Sequence, residues 1–215
     1  MKVLLFRLLF LVTSTVLTLT VSSCVIPGLG PYDEALGYNG DFEFVESGLP
    51  VNWTVSRYPI KNGDMEAYLD TTDAVSGDQS LKIVVHRYED TNRWKPFLFQ
   101  VRDAEEGKTY AVSFWLKAKE CKILLEIGYE GKYYPFGGQS EEEKQDYAAH
   151  PRIREILGES ELGDSEWRQF LYYYTVPETD GSIRFELKFR QAGSLWIDDV
   201  RIELVQTNEV PLTNP

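Results

Sequence analysis

The chain has 215 residues, with 22 Lys and Arg against 34 Asp and Glu, and a net charge of −12 at neutral pH. A surface that acidic repels phosphate backbones and anionic headgroups, which excludes nucleic acid as a partner and charge as a means of holding a membrane. Two cysteines exclude a disulfide-knit scaffold, and the length suits one domain with a sizeable core.

Residues 1–23 read as a secretory leader. Lys2 and Arg7 precede an apolar run from Leu8 to Leu19 that is short and rich in Thr, and small residues follow it. The stretch "VSSC" at 21–24 resembles the lipobox of bacterial lipoproteins. That resemblance implies removal of the leader, lipidation of Cys24, and an exported protein held at the cell-envelope membrane by lipid alone. Losing Lys2 and Arg7 would take the net charge to −14. Cys121 would then have no disulfide partner; flanked by Glu120 and Lys122, it reads as a strand-edge residue with no neighbouring histidine to activate it. Residues 24–37, rich in Pro and Gly, form a tether. The domain spans 38–205, and 206–215 is a polar tail.

From Tyr38 the chain is a succession of short alternating runs punctuated by Gly, Asp and Asn, which predicts an all-β fold, an antiparallel β-sandwich or barrel. In "TYAVSFWLKA" Tyr110, Val112, Phe114 and Leu116 share the core face, leaving Trp115 outward. In "WRQFLYYYTV" Phe170, Tyr172, Tyr174 and Val176 point inward, and Leu171 and Tyr173 outward. In "SIRFELKFR" Ile183, Phe185, Leu187 and Phe189 form the core set, opposite Arg184, Glu186, Lys188 and Arg190. Residues 137–166 interrupt the pattern. Ser140 and Glu143 have capping-box spacing, and Pro151 and Gly158 punctuate a second turn, so a partly helical insertion is expected, either a rim over a binding surface or a solvated excursion.

The last run, "GSLWIDDVRIEL" at 193–204, carries adjacent aspartates. Counting from Val200, Ile202 and Leu204 places Asp198 inward and Asp199 outward. An inward carboxylate needs a proton, a basic partner, a set of donors or a metal ion.

Several segments together resemble the jelly-roll carbohydrate-binding modules of families four, nine and twenty-two, which have galactose-binding-like folds. They are "NGDFE" at 39–43, Trp53, "SGDQSLKI" at 76–83, "GKTYAVSFWLKA" at 107–118, "WRQF" at 167–170 and "SLWIDDVRIEL" at 194–204, in family order. The resemblance implies a jelly roll with a structural calcium ion between the first and last strands. Its ligands would be Glu43, Asp198 and carbonyls of the loop at Ser76, Gly77 and Asp78, an oxygen set that suits calcium.

The resemblance also implies noncatalytic binding of a polysaccharide or oligosaccharide. Sugar rings need flat apolar surface beside planar polar groups. Trp94, Trp115 and Tyr173 point away from the core by parity, and Tyr133 and Tyr134 adjoin the insertion. Arg184, Glu186 and Lys188 lie on a non-core face and either reach hydroxyls or form a solvated charge ladder. Two other functions stand beside this one. An assembly module would contact another envelope protein, and a jelly-roll hydrolase or lyase would need a carboxylate pair such as Glu126 and Glu186. The chain has no "HExxH", Gly-rich phosphate loop or nucleophile elbow, so no enzyme is expected.

Overall fold

The structure, a computed structural model, describes residues 38–56, 64–88, 96–128, 151–163, 165–177 and 181–206. The leader, Cys24, the tether, Trp94, Tyr133, Tyr134, the Ser140–Glu143 capping box and all but the first residue of the tail lie outside them. The elements in chain order are β1 (Val45–Glu46), β2 (Leu49–Pro50), β3 (Thr54–Ser56), β4 (Met65–Asp70), β5 (Ser80–Val85), β6 (Phe97–Asp103), β7 (Thr109–Lys119), β8 (Ile123–Gly128), β9 (Arg152–Leu157), a four-residue helix α1 (Glu159–Leu162), β10 (Arg168–Thr175), β11 (Ser182–Phe189) and β12 (Gly193–Leu204). Two five-stranded antiparallel sheets form a jelly-roll sandwich. Sheet I has the order β10-β7-β12-β5-β4 and sheet II the order β3-β6-β11-β8-β9, while β1 and β2 make a separate hairpin.

Strict alternation builds the core. In β7 Tyr110, Val112, Phe114 and Leu116 are buried, and in β11 so are Ile183, Phe185, Leu187 and Phe189. Phe114 of sheet I meets Phe185 of sheet II edge-on at 5.0 Å between centroids and stacks on Phe170 at 5.5 Å. Trp53 joins the same layer against Phe42 and Phe185 and donates its indole N–H to the Asn39 carbonyl at 2.8 Å. Such aromatic contacts add about 0.5–1.5 kcal/mol each beyond burial. Among the described residues no helix is long and apolar enough to cross a membrane.

Two expectations change. Pro151 and Gly158 do not bracket a helical turn. The residues between them form β9, which pairs with β8 as the edge strand of sheet II, and the helix begins only after Gly158. The insertion thus extends a sheet. In β12 the register against β7 slips between Asp198, opposite Trp115, and Arg201, opposite Ser113, so one extra residue sits in a bulge at Asp199–Val200. Asp199 takes φ 49°, which aspartate tolerates. The inward set is therefore Leu195 and Ile197, then Val200 and Ile202, and Asp198 belongs to the outer face with Trp115 and Trp196. The count from Val200 fails because the bulge lies between it and Asp198.

Asp198 is nonetheless 0% exposed, because the loop 71–79 between β4 and β5 lies over it. Its Oδ2 accepts the amides of Val75 (2.7 Å) and Ser76 (2.9 Å), and its Oδ1 the Ser76 hydroxyl (3.2 Å) and the Asp199 amide (2.7 Å). Burial pushes the Asp198 carboxyl above its ordinary value, and these donors pull it back. Glu43 grips the same loop further on, with its Oε1 accepting the amides of Asp78 (2.9 Å) and Gln79 (3.2 Å). Gly77, at φ +61°, is the residue that fits there, since a Cβ would come 2.2 Å from Glu43 Oε1. Gly40 lets the first segment touch the bulge: its carbonyl accepts the Val200 amide at 2.9 Å, and a Cβ would come 1.9 Å from the Val200 carbonyl oxygen.

A calcium ion held by Glu43 and Asp198 does not fit this donor set. A carboxylate has about four lone-pair positions, and Asp198 receives four N–H and O–H donors, which present hydrogens where a cation would sit. Among the described residues no group of three or more His, Cys, Asp or Glu side chains could hold a metal ion. Asp198→Asn should cost about 2–4 kcal/mol, because its amide N–H₂ would face loop donors. Asp199→Asn should change stability by no more than about 0.5 kcal/mol, since asparagine accepts positive φ. Chemical denaturation of both variants, with and without chelator, checks this; a chelator should leave the wild-type midpoint unchanged.

Candidate functional site

A strand with one face in the core ordinarily gives its other face to water. The outer face of sheet II departs from that rule. Leu124, Glu126, Arg184 and Glu186 occupy outward positions of β8 and β11 and are all buried. The register explains how they meet: Glu186 lies opposite Phe99 on one side and Glu126 on the other, and Glu126 lies opposite Arg154 of β9.

These side chains form one chain of charge across three strands. Arg184 Nε donates to Glu186 Oε2 at 3.0 Å, and Lys188 Nζ reaches the same oxygen at 3.1 Å. Lys188 also donates to Glu126 Oε2, and the other oxygen of Glu126, Oε1, forms an ion pair with Arg154 Nε at 3.2 Å. The Arg184 guanidinium lies over the Phe99 ring at 3.7 Å, and Phe97 packs beside Phe99 with centroids 5.6 Å apart. Burial alone would lower the Lys188 ammonium, but Glu186 and Glu126 outweigh it and hold it above the ordinary lysine value. The chain is buried at its Arg184 end and open at its Arg154 end, where the side chain is 59% exposed. Planar guanidinium and carboxylate groups beside aromatic and aliphatic surface are what a polyhydroxylated ring needs for hydrogen bonding and for packing its C–H faces.

Glu126 and Glu186 sit directly opposite each other, as a hydrolytic pair would. The Lys188 ammonium lies between them and donates to both, in the space a scissile oxygen would take. Cys121 is buried, and burial pushes its thiol up to about 12, far from a nucleophile's range.

The sequence-predicted ligand residues divide between the two outer faces. Arg184 and Glu186 are adjacent on sheet II. Trp115 and Tyr173 lie on the outer face of sheet I, opposite Gln169 and Ala111 respectively, about 13 Å apart along β7 and separated from the other pair by the whole sandwich. Trp94 lies outside the described residues. Lys188 shares the face that parity gave it with Arg184 and Glu186; sequence reasoning missed Glu126 as their partner, Arg154 because β9 was read as helical, and Trp196.

Trp196 anchors a row on sheet I, where it faces Lys82 and Lys117. Lys82 Nζ stands 4.2 Å from its ring centre and Lys117 Nζ 5.0 Å. Its indole donates to Asp70 Oδ2 at 2.8 Å, Trp167 donates to Asp73 Oδ1 at 2.7 Å, and Lys117 pairs with Asp73. The row pins the loop 71–79 to the sheet, so that end of sheet I is closed by the chain's own residues. Hydrogen bonds from the Thr72 side chain and from Trp196 lower the Asp70 carboxyl to about 2.

No family model matches the chain, and no curated protein matches it. Among solved structures it is similar to a family 4 carbohydrate-binding module, "CBM4", with 19% identity and a TM-score of 0.47 over 78% of this chain and 98% of that one. It is similar to the CBM22-1 xylan-binding domain of Paenibacillus barcinonensis Xyn10C, with 13% identity and a TM-score of 0.47 over 78% of this chain and 93% of that one. It is also similar to the enzymatically active domain of bacteriophage CBA120 tailspike protein 4, with 14% identity and a TM-score of 0.50 over 78% of this chain and only 21% of that one. At this identity the likeness is one of fold.

Lys188→Met should leave two carboxylates facing each other without their ammonium and cost about 1–3 kcal/mol, with Glu126→Gln in the same chain recovering part of the loss; a double-mutant cycle in denaturant measures both. The lowered Asp70 value sets a second expectation. A carboxyl depressed from 3.8 to about 2 contributes stability above pH 3.8 that is lost as pH falls through the folded value. The stability gap between wild type and Asp70→Asn should therefore be constant near neutrality and close as pH drops from 3.8 toward about 2, which thermal melts across that range would record.

Proposed function

We propose that this protein is a noncatalytic glycan-binding domain whose ligand lies on the outer face of sheet II, carried on a lipoprotein anchored through Cys24 at the cell envelope. The observation that carries the reading is the network from Arg184 to Arg154 beside Phe97 and Phe99. Buried ion pairs seldom add net stability over an apolar replacement of equal volume. A sandwich that only had to fold would place aliphatic or singly solvated side chains at those positions. The ordered sequence resemblance to carbohydrate-binding modules supports the same function, and the leader followed by "VSSC" supports the anchor.

Noncatalytic binding accords with the position of Lys188 between Glu126 and Glu186. Sheet II is preferred over sheet I because Asp198, the carboxylate beside Trp115, is consumed by loop amides. Glu186→Gln should weaken glycan binding by about 1–2 kcal/mol through loss of a charged hydrogen-bond acceptor, while Trp115→Ala and Tyr173→Ala leave affinity within twofold or so. A glycan array on the purified protein, followed by titration of the three variants with melting temperatures as a folding control, tests this. Silence on every glycan would remove the reading. Binding weakened by Trp115→Ala and indifferent to Glu186→Gln would move the ligand to sheet I.

A further inference from the structure

The network on sheet II ends on a cation. Its order is Arg184, Glu186, Lys188, Glu126, Arg154, three positive groups against two negative, on a protein whose net charge is −12. Arg154, on the edge strand β9, therefore ends the network on a positive charge at one margin of an acidic molecule.

Arg154 is also the member with capacity to spare. It meets Glu126 through Nε at 3.2 Å, its side chain is 59% exposed, and Glu126 is its one charged partner among the described residues. The terminal end of a guanidinium is a planar fork matched to a carboxylate, which it binds through two parallel hydrogen bonds. Ile156, the next outward residue on β9, is 55% exposed and lies about 7 Å along the strand, within the span of one sugar ring. A cation fork and an aliphatic surface at that spacing can hold a ring by its carboxylate and by its C–H face together.

We propose that the β9 margin recognises uronic acid residues, with the sugar carboxylate on the terminal nitrogens of Arg154 and the ring packed toward Ile156. The ligand carboxylate extends the alternation of charge by one further member. The proposal rests on the glycan-binding reading and narrows it to acidic glycans. Carboxylates spaced along a largely neutral chain suit the site better than dense sulfation. The margin's excess charge is small, and the rest of the surface repels a polyanion at long range.

The test measures binding of the purified protein to uronic-acid-bearing oligosaccharides, to the same oligosaccharides after reduction of their carboxyls to alcohols, and to dextran sulfate. The acid forms should bind about three- to tenfold more tightly than their reduced counterparts, a preference that shrinks with added salt. Arg154→Gln should abolish the preference, read as the ratio of acid to reduced affinity in the same variant, with its melting temperature as a folding control. Equal binding of acid and reduced forms by the wild type, or a full preference in Arg154→Gln, would overturn the proposal and leave glycan binding standing. Stronger binding of dextran sulfate than of any uronate would overturn it in favour of sulfate. Failure to bind any saccharide, acid or neutral, would remove the glycan reading itself.

Discussion

Two carboxylates held by backbone amides organise this sandwich. Glu43 comes from the first described segment and Asp198 from the last strand, and both fasten onto the loop 71–79 by the N–H groups of residues 75, 76, 78 and 79. Because β12 runs between β7 and β5, whatever fixes it fixes the centre of sheet I. The direct contact of Gly40 with Val200 completes the closure. A hydrogen bond to a charged acceptor is worth about 1.5–3 kcal/mol, and the bonds to buried Asp198 contribute more than the exposed Glu43–Asp78 bond. The weakness of this clasp is that it depends on donors of fixed direction, which is why Gly40 and Gly77 have no room for a side chain.

The same clasp divides the two outer faces by role. The loop it holds, with the Trp196 row beneath, closes one end of sheet I. Sheet II has no such cover contributed by that loop, and its outward residues are polar groups satisfied by one another, ending in side chains open to solvent. One end of sheet I is occupied by the protein's own loop, and sheet II holds hydrogen-bonding groups already fixed in place. Fixed groups bind with less loss of side-chain entropy than mobile ones.

Much of this was legible in the sequence, for physical reasons that differ by element. β7, β10 and β11 alternate without interruption, so period two alone assigned their faces, and Arg184 and Glu186 were placed on the correct side of sheet II. β12 was misassigned because a bulge costs only one residue at positive φ, and "IDDV" contains no glycine to announce it. β9 was hidden by its punctuation: Pro151 and Gly158 suggested a helix, although Ile153, Glu155 and Leu157 alternate with Arg152, Arg154 and Ile156 as a strand would. Losing β9 lost Arg154, and without strand order no count could bring Glu126 to Glu186. Proximity of Glu43 and Asp198 to the loop at 76–78 was foreseen. That the loop would turn its amides toward them, and not its carbonyls, depends on peptide orientation, which composition does not encode.

The position of β9 bears on solubility. As the terminal strand of sheet II it has one side with no β-partner among the described residues, and an open strand edge is a template onto which another chain can add. Three of its six side chains, Arg152, Arg154 and Glu155, are charged. Two of the three carry the same sign on the same face, so a second copy aligned in register along this edge would bring arginine against arginine. That repulsion keeps neighbouring copies from joining edge to edge into a continuous sheet.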